Sequence, residues 1–330
     1  MTETIHWGIL GTGNIAHKFA QGLQALPDAV LLAVGSRAQE TADAFGEEFS
    51  VPHRHASYEA LAADPDIDII YISTPHSFHY ENTLLCLDAG KHVICEKPFA
   101  INAVQAGEMI SRARAHGLFL MDAVWTRFLP VMVRLREILG SGALGEVRMA
   151  QADFGFRAAA NPESRLFNPQ LGGGALLDVG IYVVQFASMV LGEPPVDITS
   201  QVQMGETGVD EQSALVFRYG AGQLAQLSCA IRTTTHHEAS VFGTEGRVRL
   251  HSPWWRGTTL TFWRSPGVEG GETETLPFAG NGYNYEAAEA MACIRAGKLE
   301  SSVMPLDETL QLMETLDVIR AQWGLRYPME

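Results

Sequence analysis

The pattern of apolar and polar positions changes character about a third of the way along the chain. Up to about residue 120, apolar runs at Ile5–Leu10, Val30–Val34, Ile67–Ile72, His92–Cys95 and Leu118–Met121 are short enough for strands. Between them, Ile15–Ala25, Glu40–Phe49 and Tyr80–Ala89 repeat apolar residues at helical spacing. That alternation predicts parallel strands joined by crossover helices, an α/β fold. From about Glu146 the runs Val147–Phe156, Ile198–Met204, Ser213–Tyr219, Gln223–Ile231, Ala239–Phe242, Arg247–His251 and Thr258–Trp263 read as strands. Turn-forming residues separate several of them, at Tyr219-Gly220-Ala221-Gly222, Gly243-Thr244-Glu245-Gly246 and Ser265-Pro266-Gly267. Consecutive strands with short turns make an antiparallel meander. One long helix pattern, Ala175–Leu191, interrupts it and stops at Gly192-Glu193-Pro194-Pro195, and helices at about Tyr285–Ala296 and Leu306–Trp323 close the chain. The expectation is a dinucleotide-type α/β domain over residues 1–122 and an α+β domain over 123–330.

Composition narrows the partners. A length of 330 residues suits two domains, and the formal charge of -15 repels nucleic acid and anionic membrane. The basic runs around Arg112–His116 and Arg134–Arg136 are interleaved with apolar residues and read as helix faces. Cys86, Cys95, Cys229 and Cys293 form no C-x-x-C pair, and the first three lie in apolar stretches, which favours buried, reduced thiols. The N-terminus lacks the basic and apolar regions of a secretion signal, and no stretch is expected to reach the roughly 18 apolar residues of a membrane span. A cytoplasmic location is the expectation.

Gly11-Thr12-Gly13-Asn14-Ile15-Ala16 follows the first strand and opens a helix. Gly11 permits the tight turn, Gly13 lets backbone approach a pyrophosphate, and Ala16 allows close helix–strand packing. The helix N-terminus then offers N–H groups and a positive dipole end to the anion. The second strand ends Val34-Gly35-Ser36-Arg37, without the acid that usually bonds the ribose 2′-hydroxyl of NAD. Ser36 and Arg37 suit a 2′-phosphate, which favours NADP over NAD. Ser36 with Gln39 also spells a helix capping box, and Arg37 as a solvated residue is the alternative. Ser73-Thr74-Pro75-His76 ends the Ile67–Ile72 run, where loops line the ligand crevice of such sheets. His76 and His79 lack a carboxylate or cysteine to complete a ligand set, so no metal is expected and helix-start hydrogen bonding explains them better.

Glu96-Lys97-Pro98 follows the fifth strand, and a lysine there can point its ammonium into the crevice. Asp178-Val179-Gly180-Ile181-Tyr182 lies on the long helix, where residues four apart share a face; Gly180 between them lets another surface come close. The G-x-G-x-x-A turn, the E-K-P triplet and the D-x-G-x-Y helix, in this order over the whole chain, resemble the Gfo/Idh/MocA oxidoreductase superfamily. Many members carry histidine where this chain has Tyr182. With Met121–Phe128 and Leu171–Tyr182, that substitution looks most like the dimeric dihydrodiol dehydrogenases, relatives of NADP-dependent D-xylose dehydrogenases and glucose–fructose oxidoreductase.

The resemblance implies a Rossmann first domain, a large, open-faced, mostly antiparallel sheet in the second, and dimerisation through that sheet. It implies Tyr182 as general acid/base, assisted by Lys97, with Asp178 orienting the substrate or balancing the lysine charge. A free phenol, with pKa near 10, is a poor base at neutral pH, and an adjacent ammonium stabilises the phenolate. Trp125, Phe154, Phe156 and Phe167 fall where the family's substrate pocket is expected, with Arg127 and Arg165 nearby, and Trp125 and Arg127 also count as cofactor contacts. By periodicity alone Phe154 and Phe156 share one strand face and equally suit a core. An aromatic wall fits either a sugar or a planar diol. Trp254 and Trp255 stay unassigned, exposed aromatics of a sheet often belonging to an interface. The implied activity is hydride transfer between nicotinamide and a sugar or vicinal dihydrodiol. D-xylose (aldose) 1-dehydrogenase, a non-catalytic NADP-binding regulator and a tight-NADP sugar shuttle are the alternatives. In Gln223–Ile231, Ala225, Leu227, Cys229 and Ile231 line a face that helices must cover, and Leu224 and Ala230 lie among polar residues on the other.

Overall fold

The computed structural model describes residues 3–265 and 270–330, so Pro266 and Gly267 of one expected turn lie outside the described residues. The chain forms two compact units, residues 1–128 with 279–310, and residues 129–278 with 311–330. The second crossing departs from the single boundary drawn at 122/123. Its cause lies in the helix Tyr283–Arg295, which packs on the helix Asn14–Leu23. A Cβ on Gly22 would stand 3.0 Å from the Cβ of Tyr283, so glycine permits that approach. Asn281 Nδ2 donates to Lys18 O at 2.7 Å and secures the segment. A sequence pattern that marks a helix does not say which sheet the helix will cover.

The first unit holds six parallel strands: β1 Ile5–Leu10, β2 Ala29–Gly35, β3 His53–His55, β4 Ile69–Ile72, β5 His92–Glu96 and β6 Leu120–Ala123. Their order is β3-β2-β1-β4-β5-β6. The chain leaves β1 outward to β3 and returns on the other side at β4, so the strand order reverses between β1 and β4. That reversal opens a crevice at the strands' C-terminal ends. Strand β3 carries two histidines and an arginine, which hid it from an apolar-run criterion. Trp7, Ile9, Ile70, Ile72, Val93 and Ile94 are fully buried, as strands covered on both faces require.

The second unit is built on eight strands: β7 Val147–Gly155, β8 Asp197–Met204, β9 Asp210–Arg218, β10 Leu224–Ala230, β11 Ala239–Gly243, β12 Arg247–Leu250, β13 Thr259–Trp263 and β14 Glu272–Thr275. They run β14-β13-β12-β11-β7-β10-β9-β8, all antiparallel except the β10–β7 pair. Ala225, Leu227, Cys229 and Ile231 are buried on one face, and the helix Ile181–Leu191 lies against β7 and β10. Contrary to expectation, one helical run among the described residues, Pro169–Leu191, is long and apolar enough to span a membrane by composition alone; 78% of its 18-residue window is buried, as in a core helix. The cysteines are as expected: all four are free and buried.

Candidate functional site

In the first unit the crevice is lined from β1 and β4. Gly11 takes φ +103°, and a Cβ there would meet Ser73 Oγ at 2.9 Å, so glycine answers both a backbone and a packing demand. Gly13 differs: its φ is -77°, open to any residue, and a Cβ would meet nothing within 4 Å. Open space beside Gly13, Thr12 and the first residues Asn14 and Ile15 of a helix without a capping side chain fits an incoming pyrophosphate. Ala16 is fully buried against the sheet. Across the crevice, Ser73 Oγ donates to Leu10 O at 2.9 Å, and Asn82 Nδ2 donates to Thr74 Oγ1 at 3.1 Å.

At the end of β2, Ser36 does not cap the next helix. The cap position is Ala38, and Ser36 Oγ lies 2.6 Å from Thr41 Oγ1 instead. Arg37 is exposed and lies beside the Tyr58 phenol. Burial raises the Tyr58 pKa, an effect that charge and hydrogen bonding from Arg37 oppose.

His79 is fully buried, with Nδ1 2.8 Å from Pro98 O and Nε2 2.8 Å from Thr74 O. It braces the Ser73–Pro75 loop to the Glu96–Pro98 loop, which replaces the helix-start bonding expected for it. His76 sits in the short turn His76–Phe78, its ring 5.8 Å from that of His79. Arg127 is buried and forms a two-point ion pair with Glu308, at 2.8 and 2.6 Å. Trp125 stacks on Tyr283 at 4.5 Å. Glu96 accepts the Tyr71 hydroxyl.

Beside Lys97 the first unit concentrates acid in its interior. Glu96, Asp122 and Glu286 are all buried and mutually repulsive. Burial and then the Glu96 charge push the Asp122 carboxyl up to about 8, against the pull of Arg127 and Lys97. Burial, then Glu96 and Asp122, raise Glu286 well above the carboxylate range. Sequence reasoning overlooked this cluster because Asp122 and Glu286 lie 164 positions apart.

In the second unit Asp178 and Tyr182 are both buried, 4% and 7% exposed. The turn before Tyr182 is not α-helical: Leu176–Gly180 is a π turn, leading into the helix Ile181–Leu191. Such turns concentrate at functional sites. Gly180 lets β10 approach, since a Cβ there would sit 3.0 Å from Leu176 Cδ1 and 3.1 Å from Cys229 Sγ. Asp210 on β9 holds the start of the turn through Leu176 N, 2.7 Å from Oδ2; burial raises its carboxyl to about 7, although the backbone amides it accepts oppose this. Asp178 Oδ1 accepts from Arg165 Nη1 at 2.8 Å.

Phe154 lies edge-on to Tyr182, with ring centroids 5.3 Å apart, and 6.4 Å from Phe156. It also stacks on Trp255 at 3.5 Å and 11°, and the His237 ring stands edge-on at 5.7 Å. His237 stands against the Trp255 ring at 4.6 Å, its backbone amide held by Asp153 Oδ2 at 2.7 Å. Trp254 is fully buried and donates to Asp153 O at 2.9 Å, so it is not an exposed aromatic, whereas Trp255 is half-buried. Phe167 is buried with Arg232 5.8 Å above its ring. Trp255, left unassigned by the sequence, and His237, which it did not mark, reach the Phe154 ring beside Tyr182 only through chain folding.

Residues 5–123 match the oxidoreductase family model described as an NAD-binding Rossmann fold, and residues 132–249 match the Gfo/Idh/MocA C-terminal domain. The chain belongs to the Gfo/Idh/MocA oxidoreductase family. Its relatives include trans-1,2-dihydrobenzene-1,2-diol dehydrogenases of Mus musculus, 39% identical with 99% of both chains covered, and of Homo sapiens, 38% identical over the same shares. Among solved structures, the aldose-aldose oxidoreductase of Caulobacter crescentus, complexed with glycerol, superposes with a TM-score of 0.89. It is 26% identical, with 98% of this chain and 99% of the other covered. The first unit of this Gfo/Idh/MocA protein is thus an NAD(P)-binding Rossmann fold, and its second is the family's mostly antiparallel sheet.

Proposed function

We propose that the protein is an NADP-dependent dehydrogenase of CH–OH groups, acting on a vicinal dihydrodiol or a sugar, with Tyr182 as general acid/base and Lys97 as its electrostatic partner. The observation that carries this reading is the placement of Tyr182. A buried phenol leaves a π turn beside an acid–guanidinium pair, edge-on to a stacked Phe154–Trp255 wall. Bound NADP supplies the hydride acceptor; Gly11, Gly13 and the N-terminus of the helix Asn14–Leu23 would hold its pyrophosphate, and Arg37 with Ser36 its 2′-phosphate. As the substrate C–H bond breaks, Tyr182, held as the phenolate by the Lys97 ammonium, would accept the hydroxyl proton and become the neutral phenol. Asp178, tied to Arg165, orients the second hydroxyl as a carboxylate acceptor. The aromatic wall excludes water and offers ring faces to a diol ring or to sugar C–H groups.

Likeness over full length to diol dehydrogenases supports the dihydrodiol, and the backbone likeness to an aldose-aldose oxidoreductase supports the sugar. A panel of dihydrodiol, xylose and glucose with NADP, followed by nicotinamide absorbance, separates the two. Tyr182→Phe is expected to lower kcat about a hundredfold or more with NADPH binding unchanged; near-normal turnover refutes the role. Arg37→Asp is expected to cost at least about tenfold in kcat/KM with NADP but not with NAD. Wild-type preference for NAD removes the cofactor assignment. Four buried, free thiols suit a reducing compartment such as the cytoplasm. The face of the second unit's sheet that carries exposed Gln212, Ala214, Val216 and Gln226 suits pairing with a second copy.

A further inference from the structure

Strand β3 places two imidazoles on one side of the sheet edge. In the run His53-Arg54-His55, alternation sends His53 and His55 to one face and Arg54 to the other. Arg54 Nε donates to Val51 O at 3.0 Å, and its guanidinium lies 4.0 and 3.9 Å from Asp43 and Glu47, so its charge is drawn away from the histidines. Facing the imidazoles is Asp64, whose side chain is 5% exposed. One oxygen, Oδ2, lies 2.7 Å from His53 Nδ1 and 2.9 Å from His55 Nε2. The three donor atoms all lie within 4.8 Å of one another.

We infer that His53, His55 and Asp64 form a site for one divalent transition-metal ion of the zinc class, with at least one coordination position open to solvent. Three features support it. Two nitrogens and a carboxylate oxygen converge on one point, the donor set that favours Zn²⁺, Ni²⁺ or Cu²⁺ over Mg²⁺ or Ca²⁺. The carboxylate is aimed from outside: Asp66 N donates to Oδ1 at 3.0 Å, which leaves Oδ2 for the imidazole side. The loop behind it is clamped, with Lys91 Nζ donating to Asp64 O at 2.6 Å and Ile67 O at 2.8 Å. Both histidine side chains are partly exposed, 34% and 23%, so an ion can enter and a water can complete its shell. Around a tetrahedral ion two such donors stand about 3.3 Å apart, so each N···O distance opens by about half an ångström, within small side-chain rotations. Without metal the two imidazoles hydrogen-bond Asp64, which keeps the site assembled. The site lies at the far edge of the sheet from β5 and Lys97, and the inference does not rest on the proposed chemistry.

The test is calorimetric titration of the untagged full-length protein with Zn²⁺ in a buffer that does not bind the ion. One saturable equivalent is expected in the wild type. Loss of even an outer-shell partner costs ten- to a hundredfold in affinity, so the double variant His53→Gln/His55→Gln is expected to lose more than about a hundredfold. Asp64→Asn, which keeps size and one acceptor, is expected to lose at least about tenfold. Thermal melting without metal checks that each variant is folded. If the double variant does not fold, anomalous scattering at the zinc edge from wild-type crystals decides, with a peak between the three side chains expected. The inference is overturned by absence of saturable binding, by equal binding in the folded double variant, or by a peak elsewhere.

Discussion

Asp122 is buried, and burial with the Glu96 charge outweighs Arg127 and Lys97, so its carboxyl holds its proton well above the ordinary range. The consequence is a pH dependence of fixed sign. Between the ordinary carboxyl value of 3.8 and about 8 the unfolded chain has released a proton that the fold retains. Stability therefore falls as pH rises through that window, and the contribution is fully present only below it. Asp210, raised to about 7, adds to the same slope from the second unit. Urea unfolding from pH 5 to 8 is expected to show this decline, and Asp122→Asn, which mimics the protonated shape, to flatten part of it. An unchanged slope in that variant would mean that the acid ionises in the fold. Arg127, a buried guanidinium that pulls on Asp122, has its own counter-ion in Glu308, fixed by two bonds.

Two glycines separate what the elements need for packing from what they leave open for a ligand. Gly180, inside the π turn, is required by the close passage of β10, and Gly180→Val is expected to destabilise the protein by about 1–3 kcal/mol through overpacking. Gly13 opens the first helix with ordinary φ and no neighbour within 4 Å of its missing Cβ. Gly13→Val should therefore leave stability within about 0.5 kcal/mol, yet weaken dinucleotide binding by at least about tenfold, because the branched side chain fills the approach. Chemical unfolding and fluorescence titration with NADPH measure the two effects. A Gly13→Val protein that binds normally would place the pyrophosphate elsewhere. The pairing of π turn and buried Asp210 has a parallel logic: the carboxylate occupies Leu176 N, an amide that the start of the helix leaves unpaired.

For the complete chain the formal charge of -15 and an open sheet face act in opposite directions. Repulsion disfavours association, so pairing through the sheet requires that apolar contacts around Val216 and Leu224 prevail, helped by salt. Light scattering at moderate salt is expected to give twice the mass of one chain, with dissociation promoted by Val216→Glu and by low ionic strength. A monomer under all these conditions would remove the dimer. Mass, unlike turnover, does not depend on which substrate is supplied.

Local order was legible wherever a single element carries its own signal. The strand–helix alternation, the glycine turn after Ile5–Leu10 and the alternating burial of Gln223–Ile231 follow from periodicities of two and 3.6 residues and from the backbone freedom of glycine. Strand β3 and its His53–His55 pair escaped, because polar side chains at a sheet edge break no hydrophobic rule. Whatever depends on distance through space rather than along the chain had to await folding: the return of Tyr283–Arg295 to the first unit, the meeting of Glu96, Asp122 and Glu286, and the stacking of Trp255 on Phe154. Periodicity records which side of an element faces inward. It carries no information about which other residues wait there, and in this protein those partners set the charge of the buried acids and the wall beside Tyr182.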